Sequence, residues 1–205
     1  MTESVTSTAP SSTAHAPTRP AAVAAQVGTF AALIAVFGVA GTIPVPGLLV
    51  PVTLQTLAVM LAGALLGPRR GAAAVLTLLA LAAVGLPVLS GGRGGLGVFV
   101  SPSAGYLLGW VVAAFVVGLL VDRSVRRRGR LAFWPVLVAC LVGGIGALYA
   151  VAIPILALVT GMDLAAAALA NVVYLPGDAL KAVLAASVTV GVARAYPAVL
   201  THRGF

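Results

Sequence analysis

Between about residue 20 and residue 195 the chain consists of apolar stretches that approach or exceed the roughly 20 residues needed to cross a 30 Å hydrocarbon core. Short Gly, Pro or Arg breaks separate them. Only 8% of residues are charged and mean hydropathy is +1.15, so these stretches carry too little polar surface to face water and read as a polytopic membrane protein. Backbone groups in lipid must be hydrogen-bonded within the chain, and the segments are long enough for helices, so the expected class is all-α. Spans are predicted near 22–40, 48–67, 70–86, 103–121, 132–159 and 174–195, six in all. Of these, 70–86 is short, whereas 132–159 is long enough to tilt or break near Pro154. Residues 162–172 read as a short Ala-rich helix near the surface, ahead of the last span.

The domain layout follows from composition. Residues 1–20, rich in Ser, Thr, Ala and Pro, lack the bulk to form a core and are expected to be a disordered cytoplasmic tail. They do not read as a signal peptide, because Arg19 directly precedes a long apolar segment. Residues 21–200 form the membrane domain, and 201–205 a short C-terminal cytoplasmic tail.

Lys and Arg accumulate in short cytoplasmic loops, which orients the spans. Arg19, Arg69, Arg70, Arg123, Arg126, Arg127, Arg128, Arg130, Arg194 and Arg203 all fall on one side of a six-span arrangement, and both termini are expected on that cytoplasmic side. The net charge of +8 is therefore mostly an orientation and headgroup signal rather than a nucleic-acid footprint. Two of the twelve cations escape the rule: Arg93, between spans three and four, and Lys181, inside span six. Both are expected toward the outer face, where only Asp163 and Asp178 supply acid.

Lys181, the sole lysine, follows Asp178 by three residues in Pro176-Gly177-Asp178-Ala179-Leu180-Lys181. An ionisable group in a span costs roughly 2.5–3.5 kcal/mol on insertion scales, so it normally faces a partner, a cavity or a ligand. One reading is local: Asp178 caps the last helix, or pairs with Lys181 at i,i+3. The other is a solute pocket, favoured because a buried pair kept for structure alone gains little over apolar packing.

Other candidates flank that pair. The loop Ser90-Gly91-Gly92-Arg93-Gly94-Gly95-Leu96-Gly97 contains a formal G-x-G-x-x-G, but no strand precedes it and the dinucleotide reading is rejected. Its glycines, Gly94 and Gly95 among them, instead allow backbone to fold inward toward a ligand. Thr53 and Gln55, entering span two behind Pro44, Pro46 and Pro51, are placed either to bond a solute or to bond neighbouring helices. Tyr106, Trp110 and Tyr174 stand equally as interfacial anchors or ligand contacts. The pairs Ala31/Ala35, Gly63/Gly67 and Gly105/Gly109 bring helices close, mostly within the chain.

Catalysis finds little support in the sequence. His15 and His202 lie in the tails, and Glu3, Asp122, Asp163 and Asp178 match no metal spacing. A Walker A loop is excluded, since Lys181 is preceded by Leu180 and followed by Ala182. No cofactor or metal is expected, and any ATP hydrolysis would belong to another chain.

Taken in order, Val50-Pro51-Val52-Thr53-Leu54-Gln55-Thr56-Leu57, Leu66-Gly67-Pro68-Arg69-Arg70-Gly71, Gly85-Leu86-Pro87-Val88, the Gly91–Gly97 loop, Gly105-Tyr106-Leu107-Leu108-Gly109 and Leu175-Pro176-Gly177-Asp178 with Lys181 resemble the BioY family. These are the biotin-specific substrate-binding S-components of energy-coupling factor transporters. The resemblance covers most of the chain after the tail. It implies a six-helix S-component in a bacterial inner membrane that captures biotin from outside and delivers it to the cytoplasm. It also implies partners, a transmembrane coupling protein with two ATPase subunits, and a docking surface at Ala31 and Ala35 on span one. Position 78 is Leu where many relatives carry Tyr, and it receives no site role.

The chemistry of biotin agrees with the charge inventory. Its carboxylate calls for a cation, its thioether ring for apolar walls, and its ureido group for both acceptor and donor. Arg93, Lys181 and Asp178 supply those groups, and either cation could meet the carboxylate. An S-component for another vitamin, a small membrane subunit without a transport role and a small intramembrane enzyme remain the alternatives.

Overall fold

The computed structural model describes residues 19–43 and 50–196; the expected tails, apart from their innermost residues, and Pro44 and Pro46 lie outside them. Six helical columns form one bundle, built from α1 (Arg19–Val39), α2 (Gln55–Leu66), α3 (Pro68–Ala83), α4 (Ala104–Arg128), a fifth composite column and α8 (Leu175–Ala195). The fifth joins α5 (Phe133–Leu141), a π-helical turn (Val142–Ala147) and α6 (Leu148–Thr160) without a loop. A short helix, α7 (Leu164–Val172), precedes α8, as the Ala-rich segment suggests, and Asp163 caps it by accepting from the Ala165 N–H at 3.0 Å. Four columns, Pro20–Val39, Ala104–Arg128, Phe133–Thr160 and Leu175–Ala195, are long and apolar enough to cross a membrane alone.

The other two columns are shorter for identifiable reasons. The expected span 48–67 is helical only from Gln55, because Val52 and Thr53 pair antiparallel with Ile43 and Thr42 as strands β2 and β1. Twelve residues of helix reach about 18 Å, so α2 alone is too short for a 30 Å hydrocarbon core, and extended backbone continues the column. Helix α3 starts directly after Gly67, which adopts a positive φ of 83° and turns the chain around between the two columns. Helix α4 runs beyond its expected end at 121 into the arginine-rich segment. Arg126, Arg127 and Arg128 lie in its last turn, where cations favour the negative end of the helix dipole, and left-handed Gly129 closes it.

α4 is the hub, packed against α2, α3 and α6. Small residues set its approach distances. A side chain at Gly105 would place a Cβ 2.7 Å from the Ala152 carbonyl oxygen, and one at Gly118 would come within 2.7 Å of Pro68 Cα. Gly63 and Gly109 likewise abut neighbouring helices, at Ala114 and Leu148, so these small residues serve packing within the chain. Ala113, Ala114, Val117 and Val121 fill the centre of the bundle with no polar atoms to satisfy.

In the fifth column the irregularity lies at Val142–Ala147 and not at Pro154, which sits inside α6. The glycines explain the position. Gly143 packs against Val117 and Ala113 of α4, while Gly144 packs against Met60 of α2, contacts that a side chain would block.

Candidate functional site

One cleft in the bundle encloses about 540 Å³ of unfilled space including its open mouth. Its walls come from the β2–α2 entry, the loop after α3, the start of α4, the start of α6 and the start of α8. Val50, Leu89, Leu107 and Leu148 give it apolar surface, and Tyr106, Trp110, Tyr149 and Tyr174 add aromatic rings. Tyr106 meets Tyr149 and Tyr174 edge-on, at centroid separations of 6.3 and 6.5 Å, so three rings form one continuous wall.

The charged floor is built by α8. Its buried residues Asp178, Lys181, Ala182, Ala185, Ala186 and Thr189 recur every three or four positions, which turns one face of the helix inward. Asp178 is 4% exposed and Lys181 7%. Lys181 Nζ donates to Asp178 Oδ1 at 2.8 Å, and Tyr149 Oη donates to Asp178 Oδ2 at 2.5 Å. Each carboxylate oxygen thus has a protein donor, and the pair is locked to α6. The Asp178 side chain does not cap α8; its backbone N–H is already bonded to the Tyr174 carbonyl within the helix. The i,i+3 pair forms, and it lies in the cleft wall.

Above this floor lies the glycine-bearing loop, folded as two 3₁₀ turns, Ser90–Gly92 and Leu96–Val100. Leu89 and Val98 are buried, so the loop packs inward as its glycines suggest. Arg93 is half-buried at the cleft and donates to the Ser90 carbonyl at 3.1 Å and to Ser90 Oγ at 3.3 Å. Those neutral partners hold the guanidinium without neutralising it.

Gln55, 1% exposed, sits where α2 meets α1 and the loop, donating Nε2 toward the Ile34 and Val88 carbonyls at 3.3 and 3.4 Å. Among the described residues its Oε1 has no partner, nor does Trp110 Nε1, and both residues line the cleft. A buried polar atom left unpaired costs about 1–3 kcal/mol, which sets these two atoms apart from the bonded groups around them. Tyr174 donates to the Val50 carbonyl at 2.6 Å, tying the α8 entry to the β2 side.

Of the residues singled out in the sequence, Arg93, Asp178, Lys181, Gln55, Thr53 and Tyr174 line this cleft together. Gly94 and Gly95 do not. Gly94 presses against the Leu86 backbone, and Gly95, at φ 83°, donates its N–H to the Ala82 carbonyl at 2.7 Å, so both shape the loop. Ala31 also departs from expectation: it is 2% exposed, packed in the core, and Ala35 is partly buried against the same core. The i,i+4 spacing identified small residues but not the face they occupy. The exposed alanines and glycines of α1 are instead Ala21, Ala24, Ala25, Gly28 and Ala32, of which Ala24, Gly28 and Ala32 follow one another at i,i+4 spacing.

The sequence profile of the BioY family matches residues 7–198. The chain belongs to the BioY family. Among curated BioY relatives, the biotin transporter BioY of Rhizobium etli is 46% identical over 170 residues, spanning 82% of this chain and 91% of that protein. The biotin transporter BioY of Rhodobacter capsulatus is 46% identical over 187 residues, spanning 87% and 96%. The fold is similar to a crystal structure of the S-component for biotin from an ECF-type ABC transporter. That match has a TM-score of 0.80 and 30% identity, covering 87% of this chain and 95% of that one. The resemblance first carried by scattered motifs is thus a family relationship across nearly the whole chain, and the all-α, six-helix S-component architecture holds.

Tyr149 is the cleft residue that sequence reading missed. It sits in the middle of the longest apolar stretch, and the available signal was a lone Tyr among Ala, Leu and Val at membrane depth. Asn171 was also missed: it accepts from Tyr106 Oη and holds that ring from α7. Leu78 is fully buried in the core and does not line the cleft.

Proposed function

We propose that this BioY-family chain binds biotin in the cleft and serves biotin uptake across the membrane. The observation that carries the reading is the Tyr149–Asp178–Lys181 group beneath apolar and aromatic walls, with a separate cation, Arg93, half-buried beside it. Biotin has the same division: a ureido ring needing acceptor and donor at one end, an apolar bicycle and chain between, and a carboxylate at the other. The names of the relatives and of the structural neighbour support the same ligand.

The geometry favours one orientation. Lys181 is already neutralised by Asp178, whereas among the described residues Arg93 is bonded only to uncharged Ser90 atoms. The carboxylate therefore belongs at Arg93, and the ureido ring at Asp178 and Lys181, with Gln55 Oε1 and Trp110 Nε1 as further polar partners. In this reading the cleft opens outward, the arginine-rich end of α4 faces the cytoplasm, and both chain ends lie on the cytoplasmic side.

The sequence carries no Walker A loop, so an ATP-driven step would come from another chain. We infer a transmembrane coupling protein with two ATPase subunits, docking on the exposed Ala24, Gly28 and Ala32 stripe of α1 in place of Ala31 and Ala35. The deciding experiment is to purify the chain, identify the small molecule it carries, and compete labelled biotin with biotin, thiamine and riboflavin. Competition by biotin alone supports the assignment; preference for another vitamin overturns it, and no bound small molecule favours a structural subunit.

A further inference from the structure

The opposite end of α4 carries a second cleft, unconnected with vitamin recognition. From Tyr106 to Arg123 is roughly 25 Å along the helix, nearly a full hydrocarbon thickness from the first site. This cleft lies between the α2–α3 turn and the last turns of α4. Four arginines converge on it from two helices: Arg69 and Arg70 from the start of α3, Arg123 and Arg126 from α4. Among the described residues Asp122 is the one carboxylate in the lining, which therefore carries four guanidiniums against one acid. Arg70 is also steadied by Gln26 of α1, donating to its Oε1 at 3.3 Å.

The lining has a second, apolar part. Phe115 and Leu119 precede Arg123 and Arg126 on the same stripe of α4, at intervals of three and four residues, and both line the cleft. Phe115 is 42% exposed although it lies within a membrane-crossing helix. The stripe from Phe115 to Arg126 spans roughly 16 Å by helical rise, apolar toward the membrane interior and cationic toward the surface. A soluble anion would use only the cationic half, and an acidic protein segment would leave the hydrocarbon-level half uncovered. A molecule with a phosphate head and an acyl tail matches both. We infer that this cleft is a specific site for an anionic phospholipid, its phosphate held by Arg69, Arg70, Arg123 and Arg126 and its chain lying over Phe115 and Leu119.

The test uses the full chain in micelles, with phosphatidylglycerol or phosphatidylcholine added at equal ratio and retained lipid read by native mass spectrometry. Phosphatidylglycerol is expected to be retained preferentially. The exposed change Arg123→Gln lowers its retention roughly fivefold, and Arg69→Gln/Arg123→Gln/Arg126→Gln lowers it by about that factor for each arginine removed. Arg127→Gln/Arg128→Gln/Arg130→Gln removes as much charge from neighbouring positions outside the cleft and leaves retention unchanged. Biotin binding reports folding in each variant.

Equal retention of the two lipids, or an equal loss in the second triple variant, overturns the site in favour of diffuse headgroup attraction. Displacement of phosphatidylglycerol by millimolar inorganic phosphate overturns the lipid in favour of a soluble anion. Unchanged lipid retention in the cleft variant, with loss of an associated coupling protein, overturns it in favour of a protein partner.

Discussion

Replacing Asp178 by Asn changes one atom and one charge at the point where three side chains meet. The carboxylate takes a hydrogen bond from Lys181 Nζ on one oxygen and from Tyr149 Oη on the other. Asn keeps one acceptor but turns the second position into a donor, which then faces an existing donor. Hydrogen bonds to a charged group contribute about 1.5–3 kcal/mol, so loss of the carboxylate toward a ureido N–H weakens biotin roughly 10- to 150-fold. Stability falls as well, because breaking a buried ion pair leaves an uncompensated charge at a cost of up to about 3–5 kcal/mol. The two effects separate in the double variant Asp178→Asn/Lys181→Met, which removes the orphaned cation: stability recovers while affinity does not. The assay is equilibrium binding of labelled biotin to purified protein, with thermal unfolding of the same samples. If Asp178→Asn and Lys181→Met both lower the unfolding temperature yet bind biotin as tightly as the unmodified chain, the pair is only a structural link between α8 and α6. The site assignment then fails.

Three further outcomes are expected. Arg93→Ala weakens biotin by about tenfold or more but leaves its methyl ester, which lacks the charge, nearly unaffected; equal losses for both in the same competition assay would remove Arg93 from the carboxylate. Tyr149→Phe deletes one donor to Asp178 and weakens biotin about tenfold with unchanged membrane insertion, read by binding to purified protein. Gly118→Ala forces a Cβ against the Pro68 backbone and destabilises the bundle by about 1–3 kcal/mol, seen as a lower unfolding temperature with normal affinity in the folded fraction.

The sequence made the class and the charged floor legible because both rest on rare events. Few residues are ionisable, and Lys181 and Arg93 were conspicuous by breaking an otherwise one-sided distribution. Boundaries were legible wherever Gly or Pro coincided with a charge, as at Gly67-Pro68-Arg69 and Asp163. The start of α2 was misplaced because Val52 and Thr53 are as suitable for a strand as for an apolar helix, and only the partner residues Thr42 and Ile43 decide between them. Facing was the least legible property. In lipid both the buried and the exposed sides of a helix are apolar, so periodicity that would orient a water-soluble helix is weak, and Ala31 could not be told from Ala32. The same uniformity concealed Tyr149, whose partner on α8 lies 29 positions away.

The π-helical turn at Val142–Ala147 divides the fifth column into two rods with separate phase. A residue added to or taken from an α-helix rotates everything beyond it by about 100°. The turn thus works as an angular offset between α5, which packs on α8, and α6, which packs on α4 and carries Tyr149 to Asp178. Removing one residue from this segment so that it rewinds as ordinary helix would keep the column apolar and membrane-spanning, yet swing the Tyr149 hydroxyl away from the carboxylate. Length changes within 133–160 therefore act as rotations on the vitamin site, and a relative with one residue more or fewer here needs its own phase assignment before residues are matched beyond it.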